Sequence, residues 1–229
     1  MNTKLIIFDL DQTLVEVLEI HDATAFKLFK EFFNVEVKFS DIEYAGRSMP
    51  ENFMQMGVRS GIGADVIKQK MPELLNAYER IFTGQINTNA NKYILPGVLP
   101  LMESLSLTKN MVVLYTGDSR RVGEAILKAA GLAKYFAKTF HATEVAVRAD
   151  MVQQAINWAA EVKGRVFSGN DLVIVGDSIR DIECSRIFHT RMVAVATGFY
   201  NRERLEAEHP DFVFDDFSDY RAVLKSILG

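Results

Sequence analysis

A chain of 229 residues, 48% hydrophobic and 24% charged, has enough apolar material for one sizeable core, or a core and a small lobe. Its 26 basic residues against 30 acidic ones lack the electrostatic footprint of a nucleic-acid binder, which points to a small-molecule partner. One cysteine, Cys184, excludes an internal disulfide and a cysteine-built zinc site; with no apolar run near the roughly 18 residues a bilayer demands and no room for a signal peptide, a cytoplasmic protein with no membrane partner is expected.

The first element is a continuous apolar run, Leu5, Ile6, Ile7 and Phe8, which predicts a strand buried on both faces of a parallel sheet. It runs into FDLDQT, so two carboxylates, Asp9 and Asp11, end a buried strand. From Ile20 to about Phe82 the spacing turns helical. Ala25, Phe26, Phe29, Phe32 and Phe33 make one apolar face, and Ile67, Met71, Leu74, Leu75, Tyr78 and Phe82 another, which predicts a small helical lobe with these residues as its core. Its exit is NANKYILPGV, where Pro96 and Gly97 punctuate the return.

Strand and helix then alternate. MVVLYTGD (111–118) predicts a second strand, followed by a helix carrying Val122, Ala125, Ile126, Ala129 and Ala130 and closed by Gly131. A helix over 151–162 carries Val152, Ala155, Ile156, Ala159 and Val162 and leads to LVIVGDS (172–178). MVAVATG and DFVFDDF supply two short strands, and a terminal helix holds Tyr220, Val223, Leu224 and Ile227. This alternation predicts an α/β fold, a parallel sheet covered on both faces.

In such a sheet, sites form outside the carboxyl ends of the strands, where polar residues end each apolar run here. The first strand ends in Asp9 and Asp11, the second in Thr116, Gly117 and Asp118, and LVIVGDS in Gly176, Asp177 and Ser178, with Asp181 four positions beyond Asp177. If those strands are neighbours, Asp9, Asp11 and Asp177 repel one another unless a pKa rises or a hard cation binds. Oxygen donors without histidine suit Mg²⁺. Carboxylates, a cation and a hydroxyl are what phosphoryl transfer needs, and a carboxylate can itself attack phosphorus. Asp11, two residues beyond Asp9 on the same side of an extended chain, is placed to act as acid and base.

These residues resemble the haloacid dehalogenase-like (HAD) hydrolases over essentially the whole chain. DLDQT (9–13) resembles the family's first motif, DxDxT; Thr116 resembles the second-motif hydroxyl; GDSIRD (176–181) resembles the fourth motif, GDxxxD. The resemblance implies a Rossmann-like core over 1–15 and 96–229 and an inserted α-helical cap over 16–95, as in the phosphoglycolate-phosphatase-like branch. It makes Asp9 the nucleophile, Asp11 the general acid/base and Thr116 a phosphate ligand. The Mg²⁺ set is Asp9, Asp11 through its main-chain carbonyl, and Asp177, with Asp181 supporting the ion, and Thr13 and Gly117 are counted among the substrate-binding residues.

The third motif departs from the family, which usually carries a lysine where AVRADMVQQAI stands here. Arg148, just ahead of the helix over 151–162, is assigned that role, with Lys138 and Lys163 as the other candidates. In the cap, YAGRSMPENF resembles a substrate-contacting loop, with Arg47 and Ser48 as candidates and Arg47 able to pair with a substrate anion. His21 is a candidate for the site entrance. Because Asp11 is present, the resemblance favours a phosphatase acting on a small phosphorylated metabolite over the family's dehalogenases. A sugar phosphomutase and a non-catalytic metal-binding module are the alternatives.

Overall fold

The computed structural model describes residues 3–86, 92–142 and 147–229. Six strands form one parallel sheet: β1 (Leu5–Phe8), β2 (Met111–Thr116), β3 (Lys138–His141), β4 (Leu172–Gly176), β5 (Arg191–Val195) and β6 (Phe212–Phe214). Their order is β3-β2-β1-β4-β5-β6, so β1 lies between β2 and β4. β1, β2 and β4 are buried along their whole length, as their unbroken apolar runs require.

After β1 the chain forms α1 (Leu18–Phe33), α2 (Met49–Arg59) and α3 (Ala64–Gln85). They are followed by α4 (Val98–Ser106), α5 (Arg120–Ala129), α6 (Arg148–Lys163), α7 (Ile179–Phe188), α8 (Arg202–Glu206) and α9 (Tyr220–Leu228). Strand alternation splits the core in two. Ile6, Phe8, Leu114 and Val175 pack with α4, α5 and α9, in a cluster that continues into Phe29, Phe53, Tyr78 and Phe82 of α1–α3. Leu5, Ile7, Tyr115 and Ile174 pack on the other face against α6 and α7.

The chain leaves and re-enters the sheet domain along one paired seam. Glu16 N donates to Tyr93 O at 2.7 Å and Leu95 N to Leu14 O at 3.1 Å, with Val15 bridging Ile94 antiparallel. Gly97, at φ +75°, then caps α4, as the Pro-Gly punctuation implies; Asn89, Ala90 and Asn91 of that stretch lie outside the described residues.

Three details differ from the sequence expectation. Phe26 is 41% exposed, and Leu28 takes the buried place beside Ala25 and Phe29 on α1. Val162 is 55% exposed in the last turn of α6, beyond the buried Val152, Ala155, Ala159 stripe. β3, an edge strand of mixed polarity, carries no apolar run by which sequence reading could find it.

Candidate active site

The strand order meets the condition for convergence. Phe8 aligns with Leu114 on one side and Val175 on the other, so Asp9, Thr116 and Asp177 emerge within two residues of that line at the carboxyl end of the sheet. Crossovers diverge to either side of β1, which is where an open α/β sheet leaves a crevice. Asp9 N extends the ladder by donating to Val175 O at 2.9 Å, after which Gln12, at φ +58°, turns the chain back. Thr13, fully buried, sends its hydroxyl towards both Asp9 Oδ2 (3.1 Å) and Asp177 Oδ1 (3.4 Å). Expected to bind substrate, Thr13 instead ties two carboxylates together and does not line the cavity.

Arg148 is the first residue of α6 and is 7% exposed. Its Nη2 donates to Asp9 Oδ1, its Nε to Asp181 Oδ1 at 2.8 Å, and Nη2 also lies 2.7 Å from that same Asp181 oxygen. The guanidinium lies over the Tyr115 ring, 4.2 Å from its centroid, and the Tyr115 hydroxyl donates to Asp181 Oδ1. The other Asp181 oxygen accepts from Ser178 N (2.9 Å) and Ser178 Oγ (2.7 Å) at the N-terminus of α7. Both Asp181 oxygens are therefore engaged by protein donors, and the carboxylate holds Arg148 in place. Gly176 is obligatory here, because a Cβ would overlap the Asp181 carboxyl group. The two other cationic candidates lie elsewhere: Lys138 sits over Phe140 and Trp158, and Lys163 closes α6 about 22 Å from Arg148 along the helix.

Burial, only partly offset by Arg148, pushes the Asp9 carboxyl up to about 7, and burial followed by the charge of Asp9 pushes Asp177 well above the ordinary carboxylate range. Asp118, 2% exposed, is raised by burial and then by Asp11. Around the cavity, negative charge thus exceeds what Arg148 can answer. Asp9, the Asp11 carbonyl and Asp177 are an all-oxygen set, and uncompensated buried negative charge of this kind fits a hard divalent cation. A second grouping has close donor atoms: Asp11, His21 and Asp118 each offer one within 4.8 Å of the others.

The cavity is lined by Asp9, Asp11, Gln12, His21, Arg148 and Asp177, by Thr116, Gly117 and Asp118 of the β2 end, and on the other side by Phe39, Tyr44, Gly46, Arg47, Met49 and Asn52. His21 does reach the site: Nε2 is 3.5 Å from Asp11 Oδ1, and Nδ1 shares a hydrogen bond with the Tyr78 hydroxyl. Arg47 lines the cavity with its charge already matched, since Nε donates to Glu43 O at 2.6 Å while Glu43 and Glu51 carboxylates lie at 3.4 and 4.0 Å. Ser48, also a substrate-binding candidate, is committed elsewhere: its Oγ and N donate to Glu51 Oε2 at 2.9 and 2.8 Å at the start of α2. Sequence reasoning missed Asp118, Asn52 and Tyr115 as site residues. Asp118 had a signal, its place at a strand's carboxyl end, whereas Asn52 and Tyr115 had none.

Gly117 is where the helical segment meets the sheet. Met49 N donates to Gly117 O at 3.3 Å, and a Cβ on residue 117 would overlap the Arg47 carbonyl oxygen. Replacing Gly117 with Ala is expected to cost about 2 kcal/mol and to lower kcat/KM by pushing the 46–48 loop outward. Urea unfolding and steady-state kinetics check both effects.

A family model for haloacid dehalogenase-like hydrolases matches residues 6–195. The chain belongs to that family. Among the HAD relatives, pyrophosphatase PpaX of Bacillus mycoides is 23% identical over 236 residues, covering all of both chains. A phosphoglycolate phosphatase of Synechococcus elongatus is 27% identical over 138 residues, covering 59% of this chain and 61% of that protein. The crystal structure of a predicted phosphatase from Clostridium acetobutylicum superposes with a TM-score of 0.76 at 17% identity, over 97% of this chain and 99% of that one. The α/β parallel-sheet architecture is the HAD fold, and membership of the family makes the chain a haloacid dehalogenase-like hydrolase. Among the described residues no helix is long and apolar enough to cross a membrane.

Proposed function

We propose that this HAD phosphatase hydrolyses a small phosphate monoester in a Mg²⁺-dependent reaction through a phosphorylated Asp9. The observation that carries the reading is Arg148, a buried guanidinium that bridges Asp9 and Asp181 at the bottom of a cavity also lined by Asp11 and Thr116. Asp9 Oδ attacks phosphorus, the bond to the leaving oxygen breaks, and Asp11 delivers its proton to that oxygen. Asp11 then takes a proton from water as water attacks phosphorus, which releases phosphate and restores Asp9. Arg148 favours the ionised form of Asp9 against its burial and answers charge on the phosphoryl oxygens, and the Thr116 hydroxyl accompanies it from the β2 end.

Asp9, the Asp11 carbonyl and Asp177 would hold the Mg²⁺, while Asp181 acts through Arg148. When bound, the ion neutralises charge on the phosphoryl group and lowers the repulsion among these carboxylates. Residues 16–95 are the cap, hinged on the paired 14–16 and 93–95 segments and closing the cavity with Tyr44, Arg47 and Asn52. Small size and an enclosed, charged site suit a phosphorylated metabolite.

Phosphate release from an aryl phosphate and a panel of metabolite phosphates, with Mg²⁺ and with EDTA, tests the reading. Release that requires Mg²⁺ supports it. Release undiminished in EDTA, or none from any compound, overturns it.

A further inference from the structure

Tyr115 is fully buried on β2 and, by strand alternation, points to the face that carries α6 and α7. The Arg148 guanidinium lies over its ring, with Cζ 4.2 Å from the centroid, and its hydroxyl donates to Asp181 Oδ1. Arg148 Nε donates to that same Asp181 oxygen at 2.8 Å, and Nη2 is shared between it, at 2.7 Å, and Asp9 Oδ1. One phenol thus holds both the flat face of the guanidinium and the carboxylate that grips its edge. Tyr115 and Asp181 do not line the cavity, whereas Arg148 and Asp9 do. Any effect of Tyr115 on substrate therefore passes through Arg148.

A guanidinium is rigid and planar, so all its donors are aimed once its plane is fixed. The hydrogen bonds to Asp181 and Asp9 fix one edge of that plane and leave tilt about the edge, which contact with the ring face removes. The hydroxyl acts on the other partner. Asp181 Oδ1 accepts from Tyr115 as well as from Arg148, and without the phenol that oxygen's demand falls on Arg148 and draws Nη2 away from Asp9. Burial holds the Tyr115 pKa well above its usual value, so the hydroxyl stays a donor across the working pH range. A lysine in place of Arg148 would offer no plane for the ring to hold.

We infer that Tyr115 is the positioning residue for Arg148, and that it and Asp181 aim the guanidinium so that Nη1, the nitrogen neither carboxylate uses, meets a phosphoryl oxygen. The inference rests on the phosphatase reading above and deepens it, by naming what makes an arginine workable where the family usually carries a lysine. Aim matters most when charge builds on the phosphoryl oxygens, so the loss of Tyr115 is felt in kcat more than in KM. Tyr115 and Arg148 act as one unit, and a change at the first registers only while the second is intact.

The test is a double-mutant cycle on an aryl phosphate with Mg²⁺, crossing Tyr115→Phe with Arg148→Lys. Tyr115→Phe keeps the ring and its packing and removes the hydroxyl; it is expected to lower kcat about tenfold with KM held within about twofold. Tyr115→Leu removes the ring as well and is expected to lower kcat about a hundredfold. In the Arg148→Lys background, Tyr115→Phe is expected to change kcat by less than about twofold. A kcat that Tyr115→Phe leaves unchanged, or an equal loss in the Arg148→Lys background, overturns the inference. Nitrogen-15 NMR of arginine-labelled, metal-free protein reads the same role without turnover. The Arg148 Nε–H signal, identified by its absence in Arg148→Lys, should exchange with water about tenfold faster in Tyr115→Phe than in wild type, with the other arginine signals unchanged. An unchanged rate at Arg148, or a rise shared by all the arginines, overturns the inference. If wild type leaves the aryl phosphate intact, the phosphatase reading fails separately, and the exchange rates still decide what Tyr115 does.

Discussion

Replacing Arg148 with Ala is expected to lower kcat/KM by about a thousandfold, the scale on which removal of a preorganised charge aimed at a transition state registers. The side chain is the buried guanidinium between Asp9 and Asp181, so its loss leaves two carboxylates facing each other without a cation. Leaving a buried partner unpaired costs roughly 3 kcal/mol or more, and the variant is expected to unfold at lower denaturant concentration. Arg148→Lys separates the two effects. A single ammonium on a flexible stem retains the charge but loses the planar fork that spans both carboxylates, and it cannot stack on Tyr115 in the same way. That variant should recover most of the stability and only part of kcat, with KM changed less than kcat. Equal activity in wild type and Arg148→Ala would remove Arg148 from the chemistry.

Asp9→Asn is expected to lower turnover by a factor on the order of 10⁴ or more, because the amide cannot attack phosphorus. The fold should survive, since Asn keeps the shape and removes a charge that burial disfavours. The pKa of Asp9 is raised from about 3.8 unfolded to about 7 in the folded, metal-free protein. The folded state therefore holds a proton that the unfolded chain has already released, and Asp9 contributes stability that is lost as pH rises from about 4 through about 7. Asp9→Asn should flatten that fall in thermal unfolding carried out in EDTA. A fall as steep in the variant as in wild type would assign it to other groups.

Much of this site was legible because the chemistry lies on backbone elements that the sequence marks strongly. β1, β2 and β4 are unbroken apolar runs, and acidic or hydroxyl residues at their ends had to meet once the strands were neighbours. Arg148 could be singled out because it stands at the head of a helix, although only the structure shows its side chain reaching across to Asp181. The other side of the cavity was less readable. Arg47 and Ser48 were found as a polar loop, but whether such side chains are free depends on Glu43 and Glu51, and nothing local ranks those contacts. Tyr115 shows the same limit within β2: it lies beside the legible Thr116, and its partners Arg148 and Asp181 come from distant segments.

The central claim is a covalent bond between Asp9 and the phosphoryl group, and trapping tests it most directly. Wild-type protein is mixed with an aryl phosphate and Mg²⁺, quenched, reduced with borohydride, digested and read by peptide mass spectrometry. An acyl phosphate on Asp9 reduces to homoserine, so the peptide containing residue 9 should carry that change, and should not carry it without substrate. Phosphate release with an unmodified Asp9 peptide, or with the change at another carboxylate, would contradict the mechanism.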